Sequence, residues 1–339
     1  MRGVIMHSPG NVSVQDRPDP TIEKPTDAII RIAATCVCGS DLWPYRGAND
    51  VDNAPMGHEY VGYVQEVGAD VRTVKVGDFV VGSFMASDNT CEICKAGYQS
   101  RCVHVVGMGG VGTQAEYARI PWADGTLVAT PEPPAEDLIP SYLAASDVLG
   151  TGWFAADAAQ VRPGKTVAVV GDGAVGLLGV LAAQQMGAER IIAMSRHADR
   201  QALAREFGAT DIVAERGDEG VAAIREMTGG LGAHSVIEAV GTQESMMQAV
   251  RSTRAGGHVG FVGVSHDVEL PGNKLFYSAV HLHGGPAPVR RFLPDLMDRI
   301  ANRMIDPGKV FDMRIPLEQA ADAYRAMDQR EAIKVLLTV

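Results

Sequence analysis

The chain carries two hydrophobic textures. From Met1 to about Gly125, short β-type runs such as "AIIRIAAT", "VGYVQEVG" and "DFVVGSF" are separated by Gly, Pro, Asn and Asp. Runs of that length between turn residues read as strands, and this part is expected to form an irregular, β-rich domain of barrel or sandwich type. From about Tyr142 to Gly285 the rhythm becomes strand, helix, strand, helix. "TVAVV" precedes a helical stretch from Ala174 to Met186, "RIIAMS" precedes "DRQALAREFG", and "SVIEAV" leads into "ESMMQAVRSTR" and then "GHVGFVG". Such alternation predicts an α/β fold with a doubly wound parallel sheet. The tail predicts a helix in "RRFLPDLMDRIANRM", another from Leu317 to Met327, and a last strand "IKVLLTV" able to close back onto the first domain. The expected division is 1–147, 148–285 and 286–339.

Length and charge narrow the possibilities. A chain of 339 residues is comfortable for two domains with sizeable cores. Its net charge of −11, with no basic stripe, argues against nucleic acid as a partner. The longest apolar stretch, Val167 to Ala183, is broken by Gly171, Asp172, Gly173 and Gly176, which fits strand, turn and helix rather than a membrane span. The start "MRGVIMHSPG" lacks the apolar core of a secretory signal. Five cysteines, an odd number, do not read as a secreted disulfide framework. A reducing, cytoplasmic setting is expected, where clustered thiols more often hold metal.

The turn "VVGDGAVG" places Gly171, Gly173 and Gly176 in G-x-G-x-x-G spacing, after an apolar strand and at the opening of a helix. In that context the first glycine allows the turn, the second admits a pyrophosphate and the third lets helix and strand pack closely. The anion then sits on the helix N-terminus. An NAD site normally offers Asp or Glu about 20 residues later to the ribose 2′-hydroxyl. Here the end of the second strand carries Ser195, Arg196 and His197, with Arg200 one helical turn further on. A hydroxyl and a guanidinium suit a 2′-phosphate, so NADP(H) is the expected cofactor.

The stretch "CVCGSDLW" at residues 36–43 sets Cys36 and Cys38 beside Ser40, Asp41 and Trp43. "GHEY" follows with His58 and Glu59, and "AASDVLGTGW" with Asp147. Alone, each is ordinary. Together they offer thiolate, imidazole and carboxylate, a mixed set suited to Zn²⁺ with one position open to substrate.

In this order, "CGSD", "GHE", an acidic residue before "TG", and "GDGAVG" resemble the zinc-dependent alcohol dehydrogenases of the medium-chain dehydrogenase/reductase superfamily. The resemblance spans essentially the whole chain, and "SDVLGTG", "SRH" and "GGPAPVRRF" look most like the NADP-dependent secondary alcohol dehydrogenase branch. It implies a GroES-like catalytic domain built from the N-terminal part and the tail, around a Rossmann cofactor domain. It also implies Cys38, His58 and Asp147 as ligands of a catalytic zinc, with Glu59 as a transient or inner ligand. Asp41 would orient the His58 ring, Cys36 would be a small buried residue, and Thr151 and Val175 would contact the nicotinamide and its ribose. Relatives often hold a structural zinc in C-x2-C-x2-C-x7-C spacing. Here the pattern reads Asp88, Cys91, Cys94 and Cys102, a departure that leaves a metal-free lobe as the alternative.

The implied reaction is hydride transfer between a nicotinamide and a small or medium apolar alcohol, ketone or aldehyde. Ser40 would carry the first proton. Some relatives continue that relay with a histidine three residues later, where this chain has Trp43, whose indole donates but cannot accept. Trp43, Tyr45, Phe84 and Met85 are expected to shape an apolar pocket. A zinc polyol dehydrogenase, or a non-catalytic zinc- or redox-sensing nucleotide-binding protein, are the competing readings. A homodimer or homotetramer is expected by analogy with relatives.

Overall fold

A computed structural model describes residues 1–339. Its contacts divide the chain into two units, one of Met1–Gly150 with Pro288–Val339, the other of Thr151–Ala287.

The first unit opens with an antiparallel hairpin, Arg2–Ser8 against Asn11–Asp16, turned at Pro9–Gly10. Its main sheet has seven strands. Leu127–Ala129, Phe79–Gly82, Tyr60–Val67, Ala28–Cys36, Val335–Thr338 and Met313–Pro316 follow one another, and Tyr117–Ile120 also pairs with Ala28–Cys36. Strand Ala28–Cys36 is the hub. Its partner Val335–Thr338, from the far end of the sequence, runs antiparallel with Leu336 opposite Cys36. Two apolar clusters flank this sheet. One gathers Val4, Val37, Leu42, Tyr324 and Val335, the other Ile30, Tyr60, Val80, Ile120 and Leu127. Side chains alternate across a strand, so Ala28, Ile30 and Ile32 join the second cluster and Val335 and Leu337 the first.

The second unit is a six-stranded sheet in the order Asp211–Val213, Arg190–Met194, Thr166–Val170, Ala233–Glu238, Thr253–Phe261, His281–Gly284. All its neighbours are parallel. Crossover helices Ala174–Gln185, Ala198–Glu206, Gly217–Met227 and Gln243–Ser252 connect the first five strands. Strands buried on both faces read as near-continuous apolar runs, as "TVAVV" does. The order reverses between Thr166–Val170 and Ala233–Glu238, the switch point at which such sheets bind nucleotides. The fold is therefore α/β, a doubly wound parallel sheet together with a β-rich domain, as the patterning predicts.

Candidate active site

The sheet hub of the first unit ends where the chemistry begins. Strand Ala28–Cys36 runs into Val37 and Cys38, and Cys38 caps a single 3-10 turn, Gly39–Asp41. The Cys38 N–H donates to Asp41 Oδ2 at 3.0 Å, locking the turn. His58 follows Gly57, whose φ of +99° favours glycine, and whose missing Cβ would lie 2.5 Å from the Gln114 backbone nitrogen. Asp147 lies just after helix Ile139–Ala145. Ser146 secures that point, donating to Gly82 O at 2.6 Å and accepting from the Tyr60 N–H at 3.0 Å.

These three elements bring Cys38, His58, Glu59 and Asp147 together, with one donor atom from each within 4.8 Å of all the others. His58 Nε2 lies 3.4 Å from Asp147 Oδ2, and Cys38 Sγ lies 3.9 Å from the same oxygen. On the other side of the ring, His58 Nδ1 lies 3.4 Å from Asp41 Oδ1. Burial disfavours the charged ring, but Asp41, Cys38 and Asp147 outweigh it and raise the His58 pKa well above its ordinary value. Burial, aided by Glu59, raises the Cys38 thiol. A divalent cation in this set would be held by the Cys38 thiolate and the neutral His58 imidazole, their protons leaving to solvent.

Glu59 supplies the most telling detail. It is fully buried, and its Oε1 accepts from Lys334 Nζ at 2.7 Å while Oε2 has no hydrogen-bond partner. A buried carboxylate oxygen without a donor is costly unless something positive meets it. A divalent ion among the four donors fits that need, and the S, N and O set suits zinc.

Several supporting residues were not evident from the sequence. Lys334 is 1% exposed and also donates to Val37 O at 3.1 Å. Its only sequence signal is a lone cation in the apolar run "AIKVLLTV". Gln114 bridges Cys36 O at 3.0 Å and Asp41 Oδ2 at 3.2 Å, and accepts from the Tyr324 hydroxyl at 3.0 Å. Cys36 is buried and lies outside the donor set. Ser40 is half-buried on the same turn. Of the expected pocket residues, Phe84 lies edge-on to His58 with ring centroids 6.3 Å apart. Tyr45 instead packs on Tyr324 within the apolar cluster, with centroids 5.5 Å apart, so its ring serves the core. Trp43 and Met85 are half-buried.

Asp88, Cys91, Cys94 and Cys102 form a second donor set, also within 4.8 Å of one another. Asp88 Oδ1 accepts from the Thr90 and Cys91 N–H groups at 2.8 and 3.1 Å, and Asp88 Oδ2 pairs with His104 Nδ1 at 2.7 Å. Cys91 and Cys102 sulfurs are 4.0 Å apart. Backbone N–H groups of Val103 and Cys94 hold the Cys91 thiol down at about 7. Peptide N–H groups favour the thiolate at Cys91, while burial raises the Cys94 and Cys102 thiols; the close O and S₃ donor set is what fits a zinc ion. No local sequence signal marks His104, which buttresses Asp88.

In the second unit, Gly171 has φ +120° and a Cβ on Gly176 would lie 2.1 Å from Gly171 O, so the turn and its helix demand glycine. A Cβ on Gly173 would meet nothing within 4 Å, and Gly173 caps helix Ala174–Gln185 without a side-chain bond. The open approach and uncapped N–H groups fit a pyrophosphate. Thr151 is buried and Val175 half-buried at the head of that helix. Arg196 is exposed at the strand end. Arg200 is different: it is 6% exposed and donates to Asp172 O at 3.0 Å, with Asp172 Oδ1 3.8 Å away. It is not a second exposed guanidinium.

An α/β oxidoreductase using a bound metal and a nicotinamide dinucleotide is the class that these features define. Comparison with known proteins gives the family. Residues 24–132 match the alcohol dehydrogenase GroES-like domain, and residues 174–302 match the zinc-binding dehydrogenase domain. A zinc-type alcohol dehydrogenase B of Aspergillus flavus is 35% identical over 99% of this chain and 81% of its own length. An NADP-dependent isopropanol dehydrogenase of Entamoeba histolytica is 31% identical over 98% of this chain and 93% of its own. The solved structure of an alcohol dehydrogenase from Thermus sp. ATN1 superposes with a TM-score of 0.91 at 31% identity, covering both chains completely. The chain belongs to the zinc-dependent alcohol dehydrogenase family of the medium-chain dehydrogenase/reductase superfamily.

Proposed function

We propose that this enzyme is an NADP(H)-dependent zinc alcohol dehydrogenase or carbonyl reductase acting on small or medium apolar alcohols, ketones or aldehydes. The observation that carries the reading is the buried donor set of Cys38, His58, Glu59 and Asp147 with its unpartnered Glu59 oxygen. When bound, Zn²⁺ supplies Lewis-acid polarisation of a substrate oxygen, and the nicotinamide supplies the hydride chemistry. The chain's own part is orientation and proton handling. Asp41, on the far nitrogen of His58, fixes the ring so that Nε2 faces the donor set. Ser40, two residues from Cys38, is the hydroxyl that takes the substrate proton. Trp43 accepts no proton, so Ser40 passes its own proton to water rather than to the indole. Phe84 beside His58 makes the surroundings apolar, which favours simple alcohols over polyols.

Asp88, Cys91, Cys94 and Cys102 hold a second, structural zinc in this reading. Arg196, at the strand end where an NAD site has a carboxylate, favours the 2′-phosphate. The enzyme works in the cytoplasm as a homodimer or homotetramer.

The test is metal analysis of purified protein, followed by steady-state kinetics on alcohols, ketones and a polyol with each cofactor. Wild type should favour NADP(H). A charge-assisted bond from Arg196 is worth about 1.5–3 kcal/mol, so Arg196→Ala should lower that preference by roughly tenfold to a hundredfold. Zinc-free protein, turnover confined to polyols, or a preference for NAD(H) that Arg196→Ala leaves unchanged would each overturn part of the reading.

A further inference from the structure

The sequence offers no carboxylate at the end of strand Arg190–Met194, yet the structure brings one there. Asp172, between the first two glycines of the turn, is 6% exposed. Strands Thr166–Val170 and Arg190–Met194 are parallel neighbours, with Val170 opposite Met194. Across that step, Ser195 Oγ donates to Asp172 Oδ2 at 2.8 Å. Arg200 closes the group from helix Ala198–Glu206, bonding to Asp172 O and standing 3.8 Å from Oδ1.

This arrangement changes what the strand end offers a ribose. A hydroxyl carries one proton, and that of Ser195 is directed at Asp172 and so withheld from a phosphate. The charge of Arg200 is opposed by a carboxylate under 4 Å away. Of Ser195, Arg196 and Arg200, Arg196 alone is exposed. A carboxylate repels a 2′-phosphate and accepts from a 2′-hydroxyl.

We infer that Asp172 is a specificity-determining residue, whose carboxylate, brought to the strand end through Ser195 and Arg200, restrains the preference for NADP(H) over NAD(H). The inference rests on the reading that a nicotinamide dinucleotide occupies the Gly171–Gly176 turn. Asp172 and Arg200 act in opposition, so removing either charge shifts the preference in opposite directions. A purely structural role for the pair gives no such pattern, because losing either partner would loosen the same turn and weaken both cofactors alike.

The experiment measures dissociation constants of NADP⁺ and NAD⁺ by isothermal titration calorimetry on metal-loaded protein, for wild type, Asp172→Asn, Arg200→Gln and the double variant. Circular dichroism checks each fold. Asp172→Asn should raise the NADP⁺-over-NAD⁺ affinity ratio about tenfold, the factor equivalent to about 1.4 kcal/mol. Arg200→Gln should lower it, and the double variant should return towards wild type. If Asp172→Asn fails to fold, comparing Arg200→Gln with the double variant asks the same question, and the double must show the higher ratio. A ratio that Asp172→Asn leaves unmoved or lowers, or that both single variants shift the same way, overturns the inference while cofactor binding stands. Binding of neither cofactor by wild type overturns the inference and the parent reading together.

Discussion

At residue scale, two cysteines two positions apart have opposite fates. Cys36 ends a strand and is packed in the core, where burial pushes its thiol well up and leaves it inert. Cys38, on the turn, joins the donor set. Cys38→Ser and His58→Ala should therefore each remove zinc from the open site and abolish turnover, while Cys36→Ala largely spares both. Metal analysis with an activity assay checks this, and equal losses at Cys36 would sink the assignment. The Lys334–Glu59 pair makes a second point. Both groups are essentially buried, so removing one leaves an uncompensated charge. Without bound metal, Lys334→Met should cost about 3–5 kcal/mol by urea denaturation. Adding Glu59→Leu to Lys334→Met should recover much of that loss, because two packed apolar groups replace an ion pair. No recovery in the double variant would count against this account.

At element scale, what sequence reveals depends on how local the cause is. The parallel strands were legible because burial on both faces turns each into an apolar run. "TVAVV" became Thr166–Val170 and "SVIEAV" fell within and just beyond Ala233–Glu238. The run "ESMMQAVRSTR" reads as one helix, but the helix stops at Ser252 and Thr253 opens the next strand. The opening hairpin has only a weak local signal, Pro9–Gly10 between two short alternating runs. The donor set Cys38, His58, Glu59 and Asp147 was legible because each residue sits in a short motif between regular elements, in "CGSD", "GHE" and "SDVLGTG". Lys334, Gln114, Asp172 and His104 were not, because each acts through a partner that only tertiary folding supplies. Element ends also carry a pH signature. Arg190 binds Asp211 with two bonds of 2.8 Å, tying adjacent strands, and holds Asp211 down at about 2. The folded pKa is depressed, so the contribution is present above about pH 4, the unfolded value, and fades as pH falls towards 2. The pair is partly exposed, so Asp211→Asn should cost only about 0.2–1 kcal/mol at neutral pH. Urea midpoints of the two proteins should converge only below about pH 4, and convergence at neutral pH would refute the pairing.

At the scale of the whole molecule, both donor sets belong to the same unit. Cys38, His58, Glu59 and Asp147, and likewise Asp88, Cys91, Cys94 and Cys102, all lie within Met1–Gly150. The Rossmann unit has its own core around Val170, Ile192, Val236 and Val259, with no proposed metal ligand in it. Metal removal should then act unevenly. Fully loaded protein should carry about two zinc ions per chain, one site open to substrate and one closed. Asp88→Ala should bring this to about one ion and lower the thermal midpoint, with less effect on chemistry at the open site. Chelation of both ions should raise hydrogen exchange in segments 36–60 and 86–105, where the ligands tie loops together. Strands Thr166–Val170 and Ala233–Glu238 should keep their protection, because no bond to a metal holds them. Peptide-resolved hydrogen exchange, before and after chelation at constant cofactor concentration, reads both units in one experiment. Protection lost equally in both units would show that the metals stabilise the molecule as a single cooperative body. Protection unchanged in segment 86–105 would show instead that the Asp88 lobe folds without metal.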